Sequence, residues 1–242
     1  MRIAVGTGVD GGVAATACRP WIFPCDDTRD YYTKMKGRCG EQDRFREAEL
    51  VTSGVGALLG VPVGKATPVF VPSAIAASTG LGIPEQWAVG MLKINGTEEP
   101  AATFPALVAA QSIEKRLAMV ALHSWLAIGD HQPGHNFFRD FDSGDLVSID
   151  HCSALAPAFG GLPALPVTMI DPAALLAGIA PDDPARKTVA DRVRGVQRSD
   201  LEAIVAGFPD DPAHPWLDTA ARANLVQWIL DRGGEVANGI EH

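Results

Sequence analysis

The chain has 242 residues, of which 47% are hydrophobic, and its formal net charge is −9. A chain of this length and apolar content can bury a substantial core, as one large domain or as two small lobes around a cleft. The acidic balance and the lack of a long Lys/Arg run argue against direct binding of nucleic acid through its phosphates.

The cysteine content and the hydropathy of the sequence favour a cytoplasmic location. The four cysteines are too few for a disulfide framework in a chain of this length, and their spacing matches no zinc-binding pattern. No stretch of about 18 apolar residues is free of Pro or charge, and glycines and Asp10 interrupt the amino-terminal sequence before a secretory-type apolar segment could form. We therefore expect a cytoplasmic protein that does not interact with membranes.

The first 36 residues have β character. Trp21–Cys25 is a short apolar run, residues 26–30 have turn chemistry, and Tyr31–Met35 is a second extended run. This pattern predicts a hairpin that ends near Lys34.

A helix and a strand are predicted next. Apolar residues recur at helical spacing from Glu41 to Leu59, and Gly60 and Pro62 end the pattern. Ala66–Val71 is typical of a strand. The Gly- and Pro-containing segment 72–105 is interpreted as a linker.

The second half is predicted to be mainly helical. Ala106–Ile128 contains no Gly or Pro and is predicted as one helix of roughly 34 Å. Phe137–Asp140 and Leu146–Ile149 form a hairpin in this interpretation, and about four helical segments follow from Pro172 onward. The order predicts an α+β fold of two lobes, with a β-rich N-lobe over residues 1–90 and a helical C-lobe over residues 91–242.

Three polar residues near the predicted hairpin carry the chemical signal. Asp130, Asn136 and Asp150 stand at the ends of apolar segments, which is how a kinase arranges a base and two magnesium ligands. Any one such Asp is more often a turn residue or a helix cap. Together, after a long helix, they favour phosphoryl transfer.

Lys34 is the candidate ligand of the nucleotide phosphates. A glutamate from the following helix would hold it, and Glu47 and Glu49 both flank the apolar stripe of that helix, so periodicity does not choose between them. The alternative is that Lys34 is a surface lysine on an edge strand.

These residues, taken in order, resemble the HipA-like kinases, in particular a compact single-domain branch of that family. The resemblance covers most of the chain and rests on the segments 19–34, 47–51, 58–63, 208–217 and 225–232. It implies a two-lobed protein-kinase-like fold that uses ATP and Mg²⁺. It further implies that a Ser/Thr of a protein, or of the enzyme itself, is the acceptor.

The same resemblance assigns roles to individual residues. Lys34 would bind ATP with Glu49 as its partner, and Asp130 would be the catalytic base. Asn136 and Asp150 would bind the metal.

The sequence departs from the family at the catalytic loop. The family places Asn five residues after the catalytic Asp, whereas His135 occupies that place here and Asn136 follows it. Either the loop bulges by one residue, or His135 is the second metal ligand, or the protein is a weakened or inactive kinase. The sequence also has no clean glycine-rich phosphate loop, because scattered glycines such as those at 6, 8, 11 and 12 more often mark plain turns.

Other functions compete with this interpretation. A metal hydrolase would use the histidines and aspartates clustered between positions 123 and 151, although Pro133 and Gly134 disfavour a helix that presents His131 and His135 together. A pseudokinase would bind nucleotide without turnover. Phosphatidylinositol-type lipid kinases share a loosely similar loop.

Overall fold

The computed structural model describes residues 4–8, 11–12, 20–36, 44–80, 82–129, 131, 135–159, 173–212 and 215–242. Within these ranges the strands are β1 (Ala4–Val5), β2 (Gly11–Gly12), β3 (Trp21–Pro24), β4 (Asp30–Lys34), β5 (Ala66–Val71), β6 (Gln86–Leu92), β7 (Gly96–Glu98), β8 (Phe137–Asp140) and β9 (Leu146–Ser148). The helices are α1 (Phe45–Leu59), α2 (Ser73–Ser78), α3 (Phe104–Ala110), α4 (Ile113–Trp125), α5 (Ala173–Leu176), α6 (Pro184–Gly195), α7 (Arg198–Ala206) and α8 (Thr219–Glu241), and a short 3₁₀ helix spans Ala156–Phe159. The architecture is α+β, as the sequence predicts.

Six strands form one sheet in the order β1-β5-β6-β4-β3-β2. The predicted hairpin is confirmed, since β3 and β4 are antiparallel with Trp21 opposite Thr33. β4 also pairs with β6 on its other side. Lys34 therefore does not lie on an edge strand.

The helix α1 begins at Phe45 among the described residues, and residues 41–43 of the predicted helix lie outside them. It ends where predicted, because Gly60 adopts the left-handed conformation with φ 70° and caps the last turn. Its buried apolar side chains, among them Val51 and Val55, join the main core. This packing fixes one face of α1 toward the sheet.

The interpretation of residues 72–105 as a linker is wrong. This segment contains α2, β6 and β7 and the start of α3, and β6 is an interior strand that pairs with β5 and β4. Gly90 is needed for packing, because a Cβ atom there would lie 2.5 Å from a methyl group of Val69. A glycine that serves close packing looks the same in sequence as a glycine that breaks a strand.

The single long helix predicted over Ala106–Ile128 is also wrong. Gln111 is extended with ψ 149° and ends α3, and Ser112 begins α4 by accepting a hydrogen bond from the Lys115 backbone N–H at 3.2 Å. Ser is strongly favoured as the cap that starts a helix and is less favourable in a helix interior. The chain therefore turns between two helices.

The second, three-stranded sheet has the order β7-β8-β9 and contains the predicted hairpin β8–β9. Beyond residue 172 the described residues form four α-helices, as predicted. α5, α6 and α8 pack against α4, whereas α7 packs against α8 and α1. The buried Trp125 of α4 donates a hydrogen bond from Nε1 to the Ile229 carbonyl at 2.6 Å.

The lobe boundary placed after residue 90 falls inside β6, which continues to Leu92. The division into two lobes remains a prediction. No helix among the described residues combines the length and the apolar character needed to cross a membrane.

Candidate active site

Lys34 lies at the centre of the candidate site, at the end of β4, with 6% of its surface exposed. Its ammonium nitrogen lies 2.5 Å from Glu49 Oε1 and 2.6 Å from Asp150 Oδ1. The sulfur of Cys152 lies 3.1 Å from the same nitrogen. One buried cation thus joins the large sheet, α1 and the segment after β9.

The charge of Lys34 is maintained by its neighbours. Burial by itself lowers the pKa of a lysine, but the coulombic interactions with Glu49, Cys152 and Asp150 outweigh burial and raise the pKa of Lys34 well above its usual value. Lys34 is therefore a permanent positive charge at neutral pH.

Glu49, and not Glu47, is the glutamate that contacts Lys34. Both side chains are buried, but Glu47 accepts a hydrogen bond from Arg44 at 3.0 Å. Burial would raise the pKa of Glu49, whereas Lys34 and His151 together lower it well below its usual range. Glu49 is therefore an ionised carboxylate inside the protein.

Asp150 and Asn136 lie at the same end of the β8–β9 hairpin. Phe137 is opposite Ser148 in the ladder, and the Ile149 N–H donates to the Asn136 carbonyl at 2.9 Å. Both residues have left-handed backbone, with φ 58° at Asp150 and φ 63° at Asn136. Asp and Asn tolerate this conformation better than other side chains, and such backbone is concentrated at functional sites.

The remaining predicted residues are less defined. His135 is exposed, and Asp130 lies outside the described residues. Among the glycines of the uncertain phosphate loop, Gly11 and Gly12 form β2 and pair with β3, and Gly6 donates its N–H to the Phe70 carbonyl. Residues 9–10 and 13–19 lie outside the described part of the chain.

The structure adds Cys152 and Ser148, which sequence reasoning did not select. Cys152 directly follows Asp150 and His151 in the sequence, and this adjacency could have indicated that it belongs to the site. Glu49, Asp150 and Cys152 each offer a ligand atom within 4.8 Å of the others, but the Lys34 ammonium already lies among them. In this arrangement the cation they hold is the lysine itself.

The buried histidines form a second cluster beneath the site. His123, His131 and His151 place ring nitrogens within 4.8 Å of one another. Ser148 Oγ lies 3.0 Å from His123 Nε2 and 2.9 Å from His151 Nε2, and His131 Nε2 donates to the Ile149 carbonyl at 2.7 Å. Burial lowers the pKa of His123 and of His151, so both rings are neutral at pH 7.

Comparison with known proteins gives a fold but no family. No protein-family model matches the chain, and no curated protein sequence matches it significantly. Among solved structures, it is similar to the Helicobacter pylori proinflammatory kinase CtkA, with a TM-score of 0.60 and 11% identity over 97% of this chain and 94% of that chain.

Two structures of CtTel1, one the complete dimer with C2 symmetry and one the open conformation, each give a TM-score of 0.39 at 15% identity. They cover 97% of this chain and 11% of those chains, and likeness at this level supports no conclusion. The similarity to CtkA confirms the fold class predicted from the sequence. The chain has a kinase-like α+β fold, with a β-rich amino-terminal part and a helical carboxy-terminal part.

Proposed function

We propose that this protein is an ATP- and Mg²⁺-dependent phosphotransferase of the HipA-like type. The observation that carries the proposal is the buried contact of Lys34 with both Glu49 and Asp150. Phosphoryl transfer requires a fixed cation for the phosphates and a carboxylate for the metal. In this chain the two groups, 116 positions apart in the sequence, converge on a kinase-like fold.

The metal would be held by oxygen atoms of Asp150 and Asn136. Asp150 Oδ1 accepts a hydrogen bond from Lys34, and among the described residues no hydrogen bond to the second carboxylate oxygen is formed. Its side chain is 29% exposed, so this oxygen is available to a ligand. Carboxylate and amide oxygens suit Mg²⁺ better than imidazole does, which favours Asn136 over His135. Bound Mg²⁺ would neutralise the charge of the transferred phosphoryl group.

The other roles follow from this assignment. Lys34 would bind the α- and β-phosphates, Glu49 would hold Lys34, and Asp130 would accept the proton of the acceptor hydroxyl. We also propose that the whole chain is a single kinase-like domain in which nucleotide binds between the two lobes.

We propose a Ser/Thr hydroxyl on a protein, or on the enzyme itself, as the acceptor. With a net charge of −9 the chain would repel an anionic membrane surface and favour a basic target peptide. This charge argument supports a protein acceptor over a lipid.

A metal hydrolase has less support. The ε nitrogens of His123, His131 and His151 each have a hydrogen-bond partner in Ser148 or Ile149. The rings of His131 and His151 are stacked with an interplanar angle of 10°. Two imidazoles that bind one metal ion must instead point their nitrogen lone pairs at a common position. These contacts are typical of hydrogen-bonded core histidines.

Thermal unfolding with Mg-ATP tests nucleotide binding. Ligand at 100 times its dissociation constant should add about 2.7 kcal/mol to the unfolding free energy. The substitution Asp150→Ala should abolish most of the stabilisation that depends on Mg²⁺. An unchanged melting temperature at millimolar Mg-ATP would contradict the proposal.

Turnover is tested separately with γ-labelled ATP and mass spectrometry, using the protein alone and with cell lysate. We expect label on Ser or Thr, and a much larger loss in Asn136→Ala than in His135→Ala. The opposite ranking would assign the second metal position to His135. Nucleotide binding without label on any acceptor would identify a pseudokinase.

A further inference from the structure

Glu49 is held from two directions. Its Oε1 contacts Lys34, and the same atom accepts a hydrogen bond from the backbone N–H of His151 at 3.1 Å. The ring Nδ1 of His151 faces Glu49 Oε2 at 3.5 Å. The helix that carries Glu49 is therefore anchored by the segment after β9 as well as by the lysine.

His151 belongs to a longer hydrogen-bonded series. Its Nε2 lies 2.9 Å from Ser148 Oγ, and Ser148 Oγ lies 3.0 Å from His123 Nε2 in α4. Ser148 is fully buried, and His123 and His151 are each 1% exposed. The series thus connects α1 to α4 with no access for water to replace a missing partner.

The directions of these hydrogen bonds follow from the end at Glu49. A carboxylate only accepts, so the position of His151 Nδ1 beside Glu49 Oε2 at 3.5 Å favours the tautomer that carries the ring proton on Nδ1 and accepts at Nε2. Ser148 has one hydroxyl proton and donates it to His151, which leaves its oxygen to accept from His123 Nε2–H. In this tautomer, one carboxylate would orient two histidines through one hydroxyl.

We propose that Ser148, His151 and His123 form a positioning relay that holds the Glu49 carboxylate, and through it Lys34, in the geometry that binds nucleotide. This inference rests on the proposed function for its consequence and on the hydrogen bonds for its existence. None of the three residues needs to touch the nucleotide. They act by fixing the orientation of the residues that do.

The relay has a physical effect because an unpaired buried polar group is costly. Removal of the Ser148 hydroxyl leaves His151 Nε2 and His123 Nε2–H without their partner, so the imidazole that faces Glu49 loses its fixed orientation. Lys34 then keeps its charge, but Glu49 holds its ammonium group less firmly in position. His131, stacked on His151 at 5.1 Å, stays fixed by its own bond to Ile149.

The relay is tested in two independent ways. The first is ¹⁵N NMR of the histidine side chains in the wild-type protein without ligand. We expect the ring proton of His151 on Nδ1 and that of His123 on Nε2. A His151 ring protonated only on Nε2, or on both nitrogens, would overturn the relay whatever the protein binds.

The second test measures the dissociation constant of Mg-ATP in the Ser148→Ala variant. We expect it to rise about five- to tenfold. Thr52→Val is the matched control, because Thr52 is a buried residue of α1 whose hydroxyl has no partner among the described residues. This control should bind Mg-ATP within about twofold of wild type.

A pair of substitutions at His123 separates positioning from simple loss of packing. His123→Gln keeps an N–H that can donate to Ser148, whereas His123→Leu does not, so affinity should be retained in the first and weakened in the second. Equal Mg-ATP affinity in Ser148→Ala, His123→Leu and wild type would overturn the relay. If the wild type binds no Mg-ATP, the proposed function fails, and the NMR result alone still decides the relay.

Discussion

Lys34 in β4 and Asp150 after β9, separated by 116 positions in the chain, form an ion pair of 2.6 Å. Lys34 also bonds Glu49 of α1 at 2.5 Å, so the ammonium group bridges two carboxylates from different elements. A phosphate that binds Lys34 must compete with Asp150, and a divalent cation on Asp150 would release the lysine for that purpose. Nucleotide and metal are therefore expected to bind cooperatively.

The buried pair Lys34–Glu49 should show strong energetic coupling. Lys34→Met leaves Glu49 and Asp150 without their cation, and we expect a loss of about 3 to 5 kcal/mol in the free energy of unfolding. In a double-mutant cycle with Glu49→Gln, measured by urea unfolding, the two effects should fall short of additivity by at least about 1 kcal/mol. The exposed pair Lys187–Asp191 is the control and should show no measurable coupling. Additive effects of Lys34→Met and Glu49→Gln would contradict the geometry.

The stability of the protein should depend on pH through Glu49. Its pKa in the folded protein lies below the value of about 4.3 that a free glutamate has. A depressed pKa contributes stability that is present above the unfolded value and is lost as the pH falls below it. The difference in unfolding free energy between wild type and Glu49→Gln should therefore be large at pH 7 and shrink below about pH 4. A difference that stays constant from pH 7 to pH 3 would show that the neighbours of Glu49 do not lower its pKa in the folded protein.

The two described cysteines should differ in reactivity. Burial, followed by Asp27, Asp26 and Asp30, raises the pKa of Cys25 to about 12. Cys152 is partly exposed, so a reagent can reach its sulfur, which lies 3.1 Å from the Lys34 ammonium. Iodoacetamide at pH 8 should modify Cys152 rapidly and leave Cys25 unmodified, as peptide mass spectrometry would show.

Mg-ATP should slow the labelling of Cys152 because the nucleotide would cover Lys34. Cys152→Ser removes the reactive site and identifies its peptide. Labelling that Mg-ATP does not affect would place the nucleotide elsewhere.

Arg46 should be important for stability without any contact with the ligand. Its guanidinium donates to the Trp87 carbonyl at 3.0 Å and to the Pro215 carbonyl at 3.4 Å, and it stacks over Trp216 at 4.4 Å. These contacts tie α1 to β6 and to the segment before α8. Arg46→Met should lower the unfolding free energy by about 2 to 4 kcal/mol, because two buried hydrogen bonds and a cation–π contact are lost.

Arg198→Met on the exposed surface of α7 is the control for this substitution and should change stability little. An Arg46→Met protein as stable as the control would show that the segment before α8 is held by its apolar contacts alone.

Several elements can be predicted from local signals in the sequence. The β3–β4 hairpin, the end of α1 at Gly60, the strand Ala66–Val71 and the β8–β9 hairpin follow from alternation, helical periodicity and turn chemistry within a few residues. The α+β class follows from the order of these elements. The prediction failed where one residue type is compatible with two local structures. Gly90 packs inside the strand β6 and does not mark a linker, and Ser112 caps a new helix and does not continue the previous one.

Which side chains contact one another depends on how the elements pack in three dimensions. Periodicity does not choose between Glu49 and Glu47, because both flank the apolar stripe, and only the family resemblance named Glu49. The rotation of α1 against the sheet is what points Glu49 to Lys34. The contacts among Asp150, Lys34 and Cys152, and the series from Glu49 through His151 and Ser148 to His123, depend on how distant elements pack. Sequence spacing contains no information about distances between elements that only the shared core brings together.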